Sequence, residues 1–424
     1  MRRYKSLSYQ RFGDLRSLAR EVDMKSFEYT FATDDGSSSV AVYIPRFTIP
    51  KGIGWESGEF PGDDLHLGGF WFDKYQCSHK AATDSSRGIG TGPTISPGST
   101  TDVAVSQYRK VVWTDIDWYN AKTAIENRYT DGRQWHMVTM REWATICFLA
   151  RWLVGDNLRG NNSWGRDYRD PDSPEYYGEL DPVQPGYSGY AISRVLAGTG
   201  PDTWFHNGKK NGIWGIVGNV YQWNDFLVTD GVWDNNGASV CVIPTGCIAY
   251  LDGAIGTDDP VTITYKNLLN GPGADGFAVD RTVQIDVEIM MITGVGENTI
   301  TVSRGASGSS VVAHSDSAAV MMPGTGMVLA SPTSSPYYYA WFKKLRTDYP
   351  DLALPSDVSG TSEWLDRTYW RLNATRAARR GGSWGNGSVA RSGLILNLLN
   401  GPANRSYNIG LRAALADEDL ESGS

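Results

Sequence analysis

The sequence predicts an α+β fold in which short strands outnumber helices. Apolar and polar residues alternate in VAVYIPRFTIP (40–50) and GGFWFDKYQCS (68–78), which indicates half-buried strands. Apolar residues recur at helical spacing in the segments 114–129 and 139–153. The 48 glycines and 16 tryptophans are typical of a compact fold with many tight turns and large aromatic anchors.

The two clearest helices carry different signals. In TDIDWYNAKTAIENRY (114–129), Ile116, Thr123 and Asn127 lie at helical spacing. Thr139 and Glu142 form a capping box, in which each side chain accepts a hydrogen bond from the other residue's backbone N–H. One face of the second helix then carries the apolar residues Trp143, Ile146, Cys147, Ala150 and Leu153. Its cysteine is therefore predicted to be a small buried hydrophobic residue rather than a nucleophile.

Shifts in composition divide the chain into regions. VTITYKN, TVQIDVEIMMITGV and NTITVSRG are strand-like runs joined by Gly/Asp turns, without a helical pattern. YYYAWFKKLR (337–346) is predicted to be a short amphipathic helix. The predicted regions are an N-terminal arm (1–39), a discontinuous domain (40–240 and 330–415), an all-β insertion (241–327) and an acidic, disordered tail (416–424).

Charge and composition argue against several classes of protein. A formal net charge of −8 does not suit a general binder of nucleic-acid phosphates. The sequence has no apolar run long enough for a transmembrane helix, and its basic start lacks the apolar core of a secretory signal. The four cysteines show no CxxC spacing and do not suggest a disulfide scaffold, although Cys241 and Cys247 could pair.

Landmarks in a specific order carry a resemblance to a known family. They are GGFWFDKYQCS (68–78), VVWTDIDWYNA (111–121), MVTMREWATI (137–146), GIWGIVGNVYQW (212–223), RGGSW (380–384) and NIGLR (408–412). In that order they resemble the formylglycine-generating-enzyme subgroup of the C-type lectin fold. Its members have FxIDKYEVT, VSW-D-A, LPTEAEWEYA, GLYDMxGNVWEW, RGGSW and IGFR. The resemblance implies a C-type lectin-like fold over 40–414, interrupted by the all-β insertion.

The segment 380–414 is similar to something narrower, the variable region of proteins diversified by retroelements. Those regions consist of GGSW, then an Asn-rich stretch, then ALNLNNxPSNxNxNIGFR. The segment ILNLLNGPANRSYNIGLR (395–412) closely resembles the last of these. In that family the adenines of AAC asparagine codons are randomised, which can give Gly, Ser, Val, Leu or Tyr. The resemblance implies variable, ligand-binding positions at Gly385, Asn386, Gly387, Val389, Asn397, Leu399, Asn400, Asn404, Ser406, Tyr407 and Asn408.

Alternation within this segment predicts which side chains face the core. Leu394, Leu396 and Leu398 should share the buried face of one strand, while Ile395, Asn397 and Leu399 should face solvent or a partner. An exposed aromatic or leucine among small polar residues is typical of a binding surface, so Leu399 and Tyr407 are the predicted anchors. The residues expected to hold the backbone from the inner side are Trp384, Leu396, Leu398, Ile409 and Arg412.

An enzyme is one alternative function. Formylglycine-generating enzymes hold copper through paired cysteines near the C-terminus, whereas this chain has no cysteine after Cys247. The related sulfoxide synthases use an iron site of histidines. The histidines here are scattered, without HxxxH or HExxH spacing, at positions 66, 79, 136, 206 and 314. We therefore predict no catalytic residues and no bound cofactor.

A calcium-dependent sugar-binding lectin is the other alternative. Trp223-Asn224-Asp225 matches the WND calcium motif, but it lies inside the GNVYQWND segment and has no Glu-Pro-Asn or Gln-Pro-Asp partner. Relatives hold structural calcium near GNVWEW, where Gln222 replaces the glutamate and removes a charged ligand. Asn219 remains a weak calcium candidate.

The resemblance also implies a partner and a place of action. The family includes phage tropism determinants that choose a host receptor, and it extends to archaeal viruses. A protein or cell-surface ligand of a host is therefore the expected partner, and a virion tail, a virion surface or an exposed cell surface the expected location. ENTITVSRGASGSSVVAHSDSAAV resembles segments of phage tail and baseplate proteins, so the insertion could dock the protein to a tail or to further copies of itself.

Overall fold

The computed structural model describes residues 15–50, 64–89, 101–183, 194–228, 232–233, 239–240, 243–266, 277, 279–280, 282–286, 288–296, 298–324, 338–345, 350–359, 364–371 and 376–417. Within these ranges three α-helices accompany many short strands, so the predicted α+β class is confirmed.

The elements before the insertion are, in chain order, α1 (Leu15–Lys25), β1 (Phe27–Ala32), β2 (Ser38–Ile44), β3 (Phe47–Ile49), β4 (Leu65–Leu67), β5 (Phe70–Asp73), β6 (Ser78–His79), β7 (Ala104–Val105), α2 (Trp118–Glu126), β8 (Tyr129–Thr130), β9 (Arg133–Gln134), β10 (His136–Met137), α3 (Met140–Leu153), β11 (Tyr221–Val228), β12 (Val232–Trp233) and β13 (Ser239–Val240). The next six strands are β14 (Ile243–Leu251), β15 (Val261–Lys266), β16 (Thr282–Ile285), β17 (Glu288–Val295), β18 (Thr299–Ser303) and β19 (Ala319–Gly324). The C-terminal strands are β20 (Tyr338–Leu345), β21 (Pro355–Ser359), β22 (Arg367–Trp370), β23 (Arg376–Arg380), β24 (Leu396–Leu398), β25 (Ile409–Gly410) and β26 (Ala413–Ala416).

Both predicted helices begin at side-chain caps, of which the sequence predicted the one at α3. The Asp117 carboxylate accepts the backbone N–H of Asn120 at 2.9 Å and so begins α2. At α3 the Glu142 carboxylate accepts the N–H of Thr139 at 2.8 Å, and the threonine hydroxyl accepts the N–H of Glu142 at 3.2 Å. The capping box is therefore confirmed. Cys147 is buried on α3, and burial raises the pKa of its thiol, so this cysteine is the apolar packing residue that the pattern predicted.

A sheet of antiparallel strands in the order β1-β2-β5-β26-β10 separates the helices. On β5, Phe70 and Phe72 belong to the core that also holds α1 and α3. The intervening Trp71 packs against the other core, which holds α2. Because successive side chains of a strand point to opposite faces, α1 and α3 cover one face of this sheet and α2 covers the other.

Much of the segment predicted to be an N-terminal arm belongs to this fold. Strand β1 pairs with β2 along its whole length, from Phe27 opposite Tyr43 to Ala32 opposite Ser38. Helix α1 buries Leu15, Leu18, Ala19 and Val22 in the core shared with α3. Residues 1–14 and 418–424, which include most of the predicted acidic tail, lie outside the described residues.

The insertion folds as strands, as its sequence predicted. VTITYKN, TVQIDVEIMMITGV and NTITVSRG supply β15 to β18, and a separate apolar core lies among β14 to β19. Strand β14 also pairs with β11, where Phe226 faces Thr245. The proposed pair of Cys241 with Cys247 cannot be followed, because Cys241 lies outside the described residues.

The prediction of a helix over YYYAWFKKLR is wrong. Most of this segment is β20, which pairs antiparallel with both β21 and β22. Aromatic residues favour strands, and so short an apolar run does not distinguish the two structures by its period. Two partner strands decide the outcome here.

Candidate functional site

The candidate segment is framed by two buried arginines. Arg412, the last residue of NIGLR, donates to the carbonyl oxygens of Asp73 and Trp214, both at 2.7 Å, and to the side-chain oxygen of Gln222 at 2.6 Å. Arg380, the first residue of RGGSW, donates to carbonyl oxygens of 352, 353 and 394 at 2.6–2.9 Å. Burial lowers the pKa of each guanidinium to about 10. The two ends of the segment are thus fixed by hydrogen bonds to backbone carbonyls that no other donor would easily satisfy.

Asn219 and Gln222, from the GNVYQW landmark, complete this frame. The Asn219 side-chain oxygen accepts from the Asn161 amide at 3.1 Å and from the Val195 N–H at 2.9 Å. Its amide donates to the side-chain oxygen of Gln76 at 2.8 Å. The amide of Gln222 donates to the carbonyl oxygen of Gly215 at 3.1 Å, and its side-chain oxygen accepts from Arg412. A glutamate at this position could accept from the arginine but could not donate to the carbonyl oxygen.

Backbone conformation and close packing explain why glycine occupies the two central positions of RGGSW. Gly381 and Gly382 have φ of 84° and 81°, in the left-handed region that favours glycine. A Cβ on Gly382 would lie 2.8 Å from the Cβ of Ala390, and one on Gly381 would lie 3.1 Å from the carbonyl oxygen of Ile216. The chain therefore turns sharply here and enters the candidate segment in one defined direction.

The first outer segment comprises residues 385–389. The N–H of Gly387 donates to the carbonyl oxygen of Asn162 at 2.8 Å, which connects this segment to a loop from a distant part of the chain. The side-chain oxygen of Asn386 accepts from the N–H of Ser383 at 2.6 Å and so closes the turn. Gly385 is exposed, and Val389 is half-buried. Asn386 therefore shapes the loop, while Gly385 and Val389 are open to substitution.

The second outer segment comprises residues 399–408, and its backbone is also held by the frame. The carbonyl oxygen of Ser406 accepts the N–H of Asp115 at 3.0 Å, and that of Pro402 accepts the N–H of Trp118 at 2.9 Å. The carbonyl oxygen of Tyr407 accepts from the buried guanidinium of Arg194 at 2.9 Å. Backbone contacts of this kind do not depend on which side chains the segment carries.

Side chains of the second outer segment differ in what they do. Asn400, Ser406 and Asn408 are half-buried, and their side chains form no hydrogen bond within the described part of the chain. Asn404 is exposed instead, and its side-chain oxygen accepts a hydrogen bond from the backbone N–H of Gly401 at 2.8 Å, which closes the turn. The Tyr407 ring lies 5.7 Å from that of Trp384, centroid to centroid. This contact places Tyr407 beside the buried residue that directly precedes the first outer segment.

Two residues expected to face outward are buried instead. Ile395 and Asn397 are 0% and 5% exposed, and Leu399 is half-buried against the core of α2. Strand β24 lies between β22 and β23, and the Asn397 side-chain oxygen accepts from Arg379 at 2.7 Å. Both faces of this strand are thus covered. The expectation of an outward face at Ile395 and Asn397 is wrong, although Leu396 and Leu398 are buried as predicted.

The remaining inner residues are also where the pattern placed them, since Trp384, Ile409 and Arg412 are all buried.

Sequence reasoning missed Trp164 and Arg194, which contact the two outer segments from a distant part of the chain. Arg194 is buried and paired with Asp181. A single tryptophan or arginine in a Gly/Asn/Asp-rich stretch carries no periodic signal that would have singled it out.

The residues considered for other chemistry have structural partners. Each histidine contacts a different neighbour, as in His136 with Glu142 at 2.8 Å or His79 with Asp102 at 3.0 Å. Among the described residues, no group of three or more His, Cys, Asp or Glu side chains is placed to hold a metal ion. In the WND motif Asn224 is buried, and Asp225 pairs with Lys122 at 2.8 Å. The Asn219 oxygen already accepts two N–H groups.

Comparison with known proteins identifies no relative: no protein-family model matches the sequence, and none of the curated proteins matches it. Among the helices that the structure describes, none has both the length and the apolar character that crossing a bilayer requires.

Backbone conformation predicts that the two glycines of the first outer segment differ in how well they tolerate substitution by a larger residue. Gly387 has a φ of 55°, so Gly387→Val should lower the free energy of unfolding by about 1–2 kcal/mol, because a β-branched residue is strained there. Gly385 does not have a left-handed φ, and a Cβ there would make only a 3.7 Å contact. Gly385→Val should therefore change stability by less than about 0.5 kcal/mol, as urea denaturation can measure. Equal losses would mean that the loop conformation is assigned wrongly.

Proposed function

We propose that this protein binds a ligand through a retroelement-diversified surface displayed on a C-type lectin-like domain of the formylglycine-generating-enzyme subgroup. The six landmarks that carry the resemblance support the fold, because they meet in space. Strand β26, which follows NIGLR, pairs with β5 of GGFWFDKYQCS. Buried hydrogen bonds join three of these landmarks: the Arg412 guanidinium donates to the side-chain oxygen of Gln222, and the amide of Asn219, from the same landmark as Gln222, donates to the side-chain oxygen of Gln76. The proposed activity is binding, without catalysis or a cofactor.

One observation carries the proposal: residues outside the candidate segment hold much of its backbone, while several of its own side chains take no part in holding it. Its main chain is held by Asn162, Asp115 and Arg194, all of which lie outside it. Side chains at Asn400 and Ser406 form no hydrogen bond to the described protein. Such positions can change without loss of the frame, as in loops on a rigid scaffold.

The proposed partner is a protein or cell-surface ligand of a host, and the proposed location is a virion or another exposed surface. Of the eleven candidate positions none carries a charge, and they combine Asn, Ser and Gly with Tyr, Leu and Val. That mixture resembles a paratope, in which large side chains supply contact area and small polar groups adapt their hydrogen bonds. The β-rich insertion is proposed to dock the domain to a viral tail or to another copy of the protein.

The proposal is tested by a binding selection on the full-length chain. A library is randomised at the outer positions Gly385, Val389, Asn400, Ser406 and Asn408. It is displayed on yeast and selected against ubiquitin as a defined folded probe. We expect display levels close to those of the parent, because the frame does not use these side chains, and we expect binders to be enriched.

A matched library provides the control. It is randomised at exposed positions on the sheet of the insertion, namely Thr262, Thr264, Met291, Thr293 and Val295. The outer-segment library should yield at least about tenfold more independent binders, since it varies a surface built around large side chains that lose little entropy on binding. Equal yields, or a collapse of display in the first library, would count against the proposed function.

A further inference from the structure

Trp164 is an exposed tryptophan in a backbone conformation that bulky residues rarely adopt. Its φ is 56°, in the left-handed region, and 43% of its surface is exposed. A large residue in this region costs free energy unless the surrounding structure imposes the conformation. The conformation belongs to the turn 163–166, in which Ser163 and Arg166 exchange backbone hydrogen bonds and Gly165 also has a positive φ, of 103°. This turn presents the partly exposed indole at its tip.

The loop that carries Trp164 is tied to the same frame as the candidate surface. The N–H of Trp164 donates to the carbonyl oxygen of Trp384 at 3.0 Å, and the N–H of Gly165 donates to the side-chain oxygen of Asn161 at 2.7 Å. The amide of Asn161 in turn donates to Asn219 at 3.1 Å. These contacts fix the direction in which the indole leaves the backbone, so its position does not depend on the residues at variable positions.

The indole borders the first outer segment. An ideal Cβ on Gly385 would lie 3.7 Å from the Cη2 atom of Trp164, an ordinary van der Waals distance. The Cβ of a side chain introduced at that position would therefore contact the indole without displacing it. On the other side, Trp384 contacts both the Trp164 backbone and the Tyr407 ring. Trp164 thus adjoins the candidate surface although it lies more than two hundred residues before it in the chain.

We propose, on the basis of the function proposed above, that Trp164 is a constant anchor of the ligand-binding surface, which buries its indole against a protein partner whatever residues occupy the variable positions. A rigid aromatic side chain supplies a large contact area at a small cost in conformational entropy. Tryptophan is also enriched among the residues that dominate interface energies. Variable neighbours then set which partner is chosen, while the indole supplies affinity common to all of them.

The test uses binders of ubiquitin selected from the outer-segment library, each in the full chain. Trp164→Ala should weaken binding by at least about tenfold in most independent binders, as expected for a buried interface anchor. Tyr339→Ala is the matched control, because Tyr339 is 56% exposed on β20, and it should leave the dissociation constant within about twofold. Biolayer interferometry on purified variants measures both.

A second variant separates binding from folding. Glycine adopts a φ of 56° without strain, so Trp164→Gly should keep the parent melting temperature while it loses binding as Trp164→Ala does. Binders whose affinity is unchanged in both variants would overturn the role of Trp164 and leave the proposed function standing. Unfolding of both variants would also overturn it, since Trp164 would then be a structural residue. A library that yields no binder would overturn both proposals together.

Discussion

Replacing Arg412 by methionine should lower the free energy of unfolding by about 3–5 kcal/mol, because several buried oxygen acceptors lose the one charged donor that they share. Methionine fills much of the volume but donates no hydrogen bond. The carbonyl oxygens of Asp73 and Trp214 and the side-chain oxygen of Gln222 would then be buried without their donor. Each such group costs about 1–3 kcal/mol. Urea denaturation followed by tryptophan fluorescence measures the loss.

Arg109→Met is the matched control for this substitution. The Arg109 side chain is 51% exposed, and its ion pair with Glu179 is on the surface. Exposed ion pairs contribute little to stability, because water and salt screen them. The denaturation midpoint of this variant should stay close to that of the parent. Midpoints equally lowered in both variants would show that the C-terminal arginine is not a special part of the frame.

Local signals predicted the parts of the fold that depend on neighbouring residues. The residues of the predicted capping box, Thr139 and Glu142, lie within four residues of the groups that they bind. Leu396 and Leu398 were assigned to buried positions correctly. These successes share a cause, since each pattern follows from the geometry of a single helix or strand.

Contacts between distant segments explain what the sequence did not show. The face of β24 that carries Asn397 is buried because its neighbours Ile395 and Leu399 pack against the core of α2, and Arg379 from another strand supplies the hydrogen-bond partner of Asn397. YYYAWFKKLR is a strand because β21 and β22 lie beside it. Part of the candidate surface was hidden for the same reason: Trp164 reaches Gly385 only after folding. The periodicity of apolar residues in one segment does not show which other segments cover the opposite face of that strand or helix.

Alanine substitutions along the candidate segment should divide into two groups. Leu396→Ala and Leu398→Ala should each cost about 2–5 kcal/mol, because each leaves a cavity in a packed core. Asn397→Ala should cost about 1–3 kcal/mol, since it removes the acceptor that Arg379 uses in a buried position. Ser406→Ala should change the free energy of unfolding by less than about 0.5 kcal/mol, as at surface positions without a special role.

Asn408→Ala tests the same division at the edge of the surface. Its carbonyl oxygen accepts the N–H of Tyr221 at 2.9 Å, and this bond survives truncation of the side chain. Asn408→Ala should therefore cost as little as Ser406→Ala, in urea denaturation curves recorded under identical conditions. If either substitution cost as much as Leu398→Ala, the side chains of the second outer segment would be part of the core. A segment of that kind could not vary freely, and the binding surface proposed for it would lose its physical basis.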